Sequence, residues 1–222
     1  MTQHLVQVVD AESFSAATSV SRETMARLLT YEALLRKWQG SINLVASSSL
    51  ADVWNRHFLD SAQLVPLAPL AKAWVDLGSG AGFPGLVVAI MLADRPGFQM
   101  HLVESDQKKS VFMREVIRAT GAPAVVHTMR IEEFGAGGAV ASADIISARA
   151  LAPLPRLLDW TSSFWGKDTI GLFLKGQGAA AELTESAKDW IFDSEAIASQ
   201  SDPSGTVLKL WGLRHANTGL ER

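Results

Sequence analysis

The stretch from Ala73 to Gly85 reads Ala-Trp-Val-Asp-Leu-Gly-Ser-Gly-Ala-Gly-Phe-Pro-Gly, and no other part of the chain constrains its fold so tightly. Trp74, Val75 and Leu77 predict a short buried strand with Asp76 at its end. Gly78, Gly80 and Gly82 then permit a turn with positive φ and no side chains in the way. Pro84 suits the first turn of a following helix, where its missing N–H is not needed. Strand, glycine turn and helix in that order cradle nucleoside cofactors in α/β domains.

Two cofactors fit this loop. Gly80, Gly82 and Gly85 satisfy G-x-G-x-x-G, the dinucleotide fingerprint. Glu104, at the end of the next apolar run (Met100, Leu102, Val103), would then hold a ribose, and the chain would be an NAD-dependent oxidoreductase. The other candidate is S-adenosylmethionine, with Gly78, Gly80 and Gly82 against its methionine end. Asp76 favours this second reading. A carboxylate beside the loop repels a pyrophosphate but suits a ligand carrying an ammonium and a sulfonium. Glu104 has the same task in both, accepting from the two ribose hydroxyls.

The rest of the chain supplies an α/β frame for the loop. Residues 1 to about 20 are polar and small, and predict a frayed or loosely helical start. Ser21 is a plausible N-cap for a helix carrying Met25, Leu28, Leu29, Leu35 and Trp38, which Gly40 ends. A second helix is expected from Leu50 to Leu64. Residues 1–70 thus form a helical N-terminal extension, and residues 71–222 the cofactor-binding domain. Strands are expected near 73–77, 99–104, 124–128, 143–147, 169–174 and 206–213, and helices near 84–93, 107–119, 151–164 and 178–188. That alternation implies a mostly parallel sheet covered on both faces. If 190–197 is also a strand, the turn Asp202-Pro203-Ser204-Gly205 closes an antiparallel hairpin. Gly135-Ala136-Gly137-Gly138 reads as a short loop.

Composition narrows the function. A chain of 222 residues that is 48% hydrophobic can bury a full core. No run reaches the roughly 18 apolar residues of a membrane span, and the start lacks a secretory pattern, so a cytoplasmic location is expected. The absence of cysteine excludes disulfides and thiolate catalysis. A net charge of −3 provides no global attraction to nucleic acid, so any RNA contact must be local. The five histidines, His4, His57, His101, His127 and His215, form no metal-ligand spacing, and no metal is expected.

Further motifs accompany the loop: Asn43-Leu44, Arg56-His57-Phe58-Leu59-Asp60-Ser61, Glu104-Ser105 with Lys108-Lys109, Arg130-Ile131-Glu132-Glu133-Phe134, Ala148-Arg149-Ala150 and Lys175-Gly176. In order and spacing, from about residue 34 to 213, they resemble the glucose-inhibited division protein B family of bacterial small-subunit rRNA (guanine-7) methyltransferases. The resemblance implies a class I S-adenosylmethionine-dependent methyltransferase fold: Rossmann-like, α/β, with a seven-stranded mostly parallel sheet and a helical N-terminal extension. It also implies methyl transfer from S-adenosylmethionine, leaving S-adenosylhomocysteine, to ring nitrogen seven of one guanine in 16S rRNA. The substrate would be presented within the small ribosomal subunit or an assembly intermediate, to an enzyme acting as a monomer. Carried onto this chain, Asp76, Gly78, Gly80 and Phe83 belong to the cofactor loop. Glu104 holds the ribose, and Ile131 and Glu132 flank the adenine. Arg149, after the fourth strand, lies beside the methionine end and the incoming base and is the candidate catalytic residue. Phe83 stands where an aliphatic residue is common, and residues 1–20 and 214–222 match nothing in the family pattern. A ribosome-assembly factor with a vestigial cofactor site is the non-enzymatic alternative.

The chemistry agrees with what the sequence lacks. Guanine nitrogen seven carries an in-plane lone pair, so alignment matters more than a general base. No Ser-His-Asp or Cys-His set is apparent, and the segment after the fourth strand reads Ser147-Ala148-Arg149-Ala150 rather than the Asn-Pro-Pro-Tyr type of adenine amino-methyltransferases. Several residues have bland readings too. His57 can serve a loop hydrogen bond, and Asp60 and Ser61 can tie the extension to the cofactor loop. Arg149 can pair with Asp144 or Asp76. Lys108, Lys109, Arg114 and Arg118 form either a solvated helix face or an RNA patch. Lys175 reaches a phosphate or solvent. Trp38, Trp54, Trp160 and Trp165 read as packing residues.

Overall fold

The structure, a computed structural model, describes residues 8–137, 140 and 143–216. The first seven residues with His4, Gly138 and residues 217–222 lie outside them.

Helix α1 spans Ala11–Thr18. Asp10 accepts from the Ser13 N–H at 2.8 Å, and Ser13 Oγ accepts from the Asp10 N–H at 3.0 Å, a reciprocal cap at the first turn. Its Phe14 is fully buried against Trp54, with ring centroids 5.2 Å apart. Residues 11–18 are therefore firmer than their polar composition implied, because one aromatic side chain anchors them. Helix α2, Arg22–Gln39, starts at the expected Ser21 cap and buries Met25, Leu28, Tyr31 and Leu35.

The expected helix over 50–64 is broken up. A 3-10 turn at Ser47–Ser49 leads into a π-helical segment, Trp54–Leu59, continued by α3, Asp60–Ala62. The N–H of Asp60 bonds back to the Asn55 carbonyl, the wide i to i−5 step of a π-helix. That widened turn carries Arg56, His57 and Asp60 to the carboxyl end of β4, at the middle of the sheet.

Seven strands follow: β1 Ala73–Leu77, β2 Gln99–Val103, β3 Ala124–His127, β4 Ile145–Arg149, β5 Ile170–Lys175, β6 Trp190–Ala198 and β7 Thr206–His215. They form one sheet in the order β3-β2-β1-β4-β5-β7-β6. β1 to β5 run parallel; β7 pairs antiparallel with both β5 and β6, the expected terminal hairpin. The helices between are α4 Gly85–Met91, α5 Gln107–Thr120, α6 Ile131–Ala136, α7 Leu154–Thr161 and α8 Ala179–Ser186. Strand alternation sends Trp74, Met100, Leu102 and Ile145 to one face, against α1, α2, α4 and α5. It sends Val75, Val103, Ile146 and Phe173 to the other, against α6 and α7.

Three boundaries differ from expectation. β4 lies later than 143–147, because the Asp144 carboxylate holds the Lys72 and Ala73 N–H groups at 2.7 and 2.9 Å and fixes the chain before the strand starts. Arg149 is therefore the last residue of the strand, paired with Leu174, rather than a residue after it. Helix α7 begins at Leu154, not 151, since Ala150 has φ of 50° and Pro153 occupies the N-cap. Gly135 and Ala136, read as loop, are helical: a glycine fits α6 there because any Cβ would strike Ser163 and Phe164.

Candidate active site

The turn after β1 is a glycine turn as expected: Gly78, Gly80 and Gly82 have φ of 59°, 57° and 99°. The glycines do different work. A Cβ on Gly80 would meet nothing nearer than the Gly78 carbonyl at 3.8 Å, so this position opens on free space. A Cβ on Gly78 would strike Leu151. One on Gly82 would strike Leu86 and approach the Tyr31 hydroxyl, and one on Gly85 would run into Leu102 and the Asp76 carboxylate. Tyr31 is a residue that sequence reasoning missed. Its buried hydroxyl donates to the Ala81 carbonyl at 2.6 Å, so helix α2 grips the loop directly. A tyrosine one helical turn from Leu28 and Leu35 was readable as core, but nothing local signalled its polar task.

Above the turn lies a cleft of about 470 Å³ at the carboxyl ends of β1, β2 and β3. Gly78, Gly80, Glu104, Ile131 and Glu132 line it, five of the residues expected at a cofactor. Glu104 accepts from the Gly80 N–H at 2.9 Å with one oxygen and from the Asp106 N–H at 2.8 Å with the other. Its size, the glycine floor and a carboxylate at ribose height fit S-adenosylmethionine. Arg130, Lys109, Arg156 and Trp160 complete the rim. The Arg156 guanidinium lies 4.7 Å from the Trp160 ring, so this tryptophan is a cleft residue as well as a packing one.

Asp76 and Phe83 belong to the strand and turn as expected but do not line this cleft. Asp76 is fully buried behind the glycine turn, where it accepts from Ser147 Oγ at 2.7 Å and the Gly85 N–H at 3.2 Å. Ser147 in turn accepts from the Trp74 indole N–H at 2.9 Å. Burial pushes the Asp76 carboxyl up to about 6 despite these bonds. Asp76 thus braces the loop from beneath. The Phe83 ring is likewise enclosed, stacked on Tyr31 and on His57 with centroids 5.1 and 4.9 Å away. Neither is on the cleft wall.

Arg149 lines a second cleft, about 560 Å³, with Arg56, Asp60, Lys175 and Thr206. The two clefts share Ala150, Leu151, Ala152 and Pro153 as a common wall. Arg149 pairs with Asp60 at 3.2 Å, not with Asp144 or Asp76, and donates to the Arg56 carbonyl at 3.0 Å and to His57 Nδ1 at 2.9 Å. Its guanidinium lies 5.2 Å from the Phe83 ring centroid. Lys175 lines the second cleft and is held there from both sides. Its ammonium donates to the Ala152 carbonyl at 2.7 Å and pairs with Glu182 at 2.8 Å, while Glu182 also accepts the Leu154 N–H. Lys175 and Glu182 are the clamp of the shared wall. Along α5, Arg118 is paired with Glu115 and Arg114 bonds Thr128, so the basic stripe is partly neutralised. Among the described residues, no His, Asp and Glu cluster could hold a metal ion, and no helix is long and apolar enough to cross a membrane.

A seven-stranded sheet of this order, a glycine turn after β1 and an acidic residue after β2 define a class I S-adenosylmethionine-dependent methyltransferase fold. The O-methyltransferase TomG from Streptomyces achromogenes, solved with SAM, superposes with a TM-score of 0.63 at 15% identity, over 95% of this chain and 99% of that one. A point mutant of MtNAS in complex with S-adenosylmethionine superposes at 0.56 and 16% identity, over 91% and 84%. At these identities the likeness shows the fold. Sequence goes further: the family profile described as rRNA small subunit methyltransferase G matches residues 24–204, and the chain belongs to that family. The ribosomal RNA small subunit methyltransferase G of Parvibaculum lavamentivorans is 66% identical over 218 residues, covering 96% of each chain. The protein of that name from Rhodospirillum centenum is 53% identical over 201 residues, covering 90% of this chain and 89% of that one. Membership supports the methyltransferase reading over the nicotinamide and vestigial-site alternatives.

Proposed function

We propose that this chain transfers the methyl group of S-adenosylmethionine to ring nitrogen seven of one guanine in 16S rRNA. It does so as a cytoplasmic monomer, on RNA presented in the small ribosomal subunit or an assembly intermediate. The observation that carries this reading is the thin wall, residues 150–153, between the glycine-floored cleft and the second, arginine-rimmed one. The two clefts adjoin along these residues, and both lie where ligands gather in open α/β sheets.

Glu104 is assigned to the ribose, Gly78 and Gly80 to the methionine portion, and Ile131 and Glu132 to the adenine. Asp76 and Phe83 serve the same ligand from behind, by fixing the turn. When bound, S-adenosylmethionine supplies an electrophilic methyl group. The guanine lone pair would take up that methyl group, with the C–S electron pair left on sulfur. The chain's own part is alignment. Arg149, the assigned catalytic residue, directs N–H donors at the incoming base. Residues 71–222 form the catalytic unit, and the extension, residues 1–70, supplies the other side of the acceptor cleft through Arg56 and Asp60.

Mass mapping of modified nucleosides in 16S rRNA from cells lacking this protein tests the reading. Loss of one 7-methylguanosine, restored by the wild-type chain, is the expected result. Methyl transfer to naked RNA, assembly intermediates and complete subunits then identifies the presented form.

A further inference from the structure

The proposed chemistry leaves His57 without a task, yet both of its ring nitrogens are hydrogen-bonded. The ring lies between two elements. Nδ1 is 2.9 Å from Arg149 Nη2, and Nε2 is 2.8 Å from Ser49 Oγ. A guanidinium only donates, so Nδ1 must be the acceptor, and the ring proton resides on Nε2. That proton points at Ser49 Oγ, whose own hydrogen goes to the Ala46 carbonyl at 2.7 Å. The whole chain of bonds has one direction. A second proton on the ring would set N–H against N–H at Arg149. Burial, reinforced by the Arg149 and Arg56 charges, lowers the His57 pKa to about 3, which agrees with that geometry.

Arg149 carries five N–H groups. The Arg56 carbonyl and Asp60 take two on Nη1, and His57 takes one on Nη2. Nε–H and one Nη2–H remain, and no described residue accepts them. Without the His57 lone pair, the guanidinium can turn about its remaining anchors, and those two donors lose their direction.

We propose that His57 is a positioning residue: as the neutral Nε2–H tautomer it fixes the Arg149 guanidinium, so that two N–H donors face the acceptor base. This rests on reading the second cleft as the acceptor side. It is a role through Arg149, not contact with the reacting atoms.

Side-chain isosteres separate this role from simple packing. The Asn amide oxygen can occupy the place of Nδ1, whereas the Gln amide occupies that of Nε2. Neither stacks on Phe83 as imidazole does. His57→Asn should therefore retain methyl transfer to within a few-fold of wild type. His57→Gln and His57→Ala should lose roughly tenfold to a hundredfold in single turnover, as expected for losing a hydrogen bond to a charged group. Cofactor affinity and thermal melts should change little in any of them. In the ligand-free chain, long-range proton–nitrogen spectra should show an unprotonated Nδ1 and a protonated Nε2, unchanged between pH 8 and 5. Equal losses in Asn and Gln variants would leave only a stacking role and overturn the proposal. So would an Nδ1–H tautomer, titration within that range, or full activity in all three variants. If the wild-type chain methylated no rRNA, the functional reading would fail by itself, which the spectra would register separately.

Discussion

The backbone N–H of Gly80 donates to the Glu104 carboxylate at 2.9 Å, so the glycine turn and the end of β2 form one structural unit. Each carboxylate oxygen accepts more than one hydrogen bond. Glu104 can therefore hold the turn and two ribose hydroxyls together.

Glu104→Ala should weaken S-adenosylmethionine and S-adenosylhomocysteine by the same amount, on the order of 2–4 kcal/mol for two charge-assisted bonds. Calorimetry with each ligand checks this. A loss confined to one of them would place the ribose elsewhere.

Gly80 and Gly85 should respond in opposite ways. Gly80→Asp places its side chain in the open cleft, and Asp tolerates the left-handed backbone. It should abolish cofactor binding with a near-normal melt. Gly85→Ala forces a Cβ into Leu102 and the Asp76 carboxylate, and should cost about 1–3 kcal/mol of stability. A Gly80→Asp protein that bound cofactor normally would remove this turn from the site.

Asp76 gives a stability profile of unusual sign. Its folded pKa, about 6, lies above the ordinary 3.8, so the folded state holds a proton that the unfolded state has released. Its contribution should fall as pH rises from about 4 to 6, by roughly 3 kcal/mol in total, and stay flat above. His57 opposes it, since a depressed histidine pKa makes stability rise with pH between about 3 and 6.5. Denaturant titrations of Asp76→Asn should therefore show a steeper rise with pH than wild type. An identical slope would mean that Asp76 is charged throughout.

Arg149→Ala should reduce methyl transfer much more than cofactor affinity, because its guanidinium lies in the second cleft. Arg149→Lys should rescue poorly, since a point charge cannot serve His57, Asp60 and a base at once. The wild-type single-turnover rate should stay flat from about pH 7 to 9, as no general base is required. An unaffected Arg149→Ala rate, or a limb of unit slope in that range, would contradict the assignment.

Much of this was legible in the chain. The glycine turn and Glu104 were readable because motif spacing reports backbone geometry, which one local stretch determines; Ile131 and Glu132 came from the family resemblance, and both line the cleft. Asp76, Phe83, Lys175 and the partner of Arg149 were harder. The fate of each depends on a side chain far away: Ser147 for Asp76, Tyr31 and His57 for Phe83, Glu182 for Lys175 and Asp60 for Arg149. The π-helical turn at Trp54–Leu59 left no trace in a pattern that reads equally well as an ordinary helix.

Asp60 and Gln63 also set an order of events during synthesis. Asp60 accepts from Ser201 Oγ, 141 residues later, and Gln63 from the Gln200 N–H, 137 residues later. Such contacts close very large loops and are among the last a chain makes. The glycine turn and its Tyr31 brace span only 50 residues. A nascent chain can therefore set its glycine turn while the Asp60 side of the second cleft still waits for the β6–β7 hairpin to leave the ribosome.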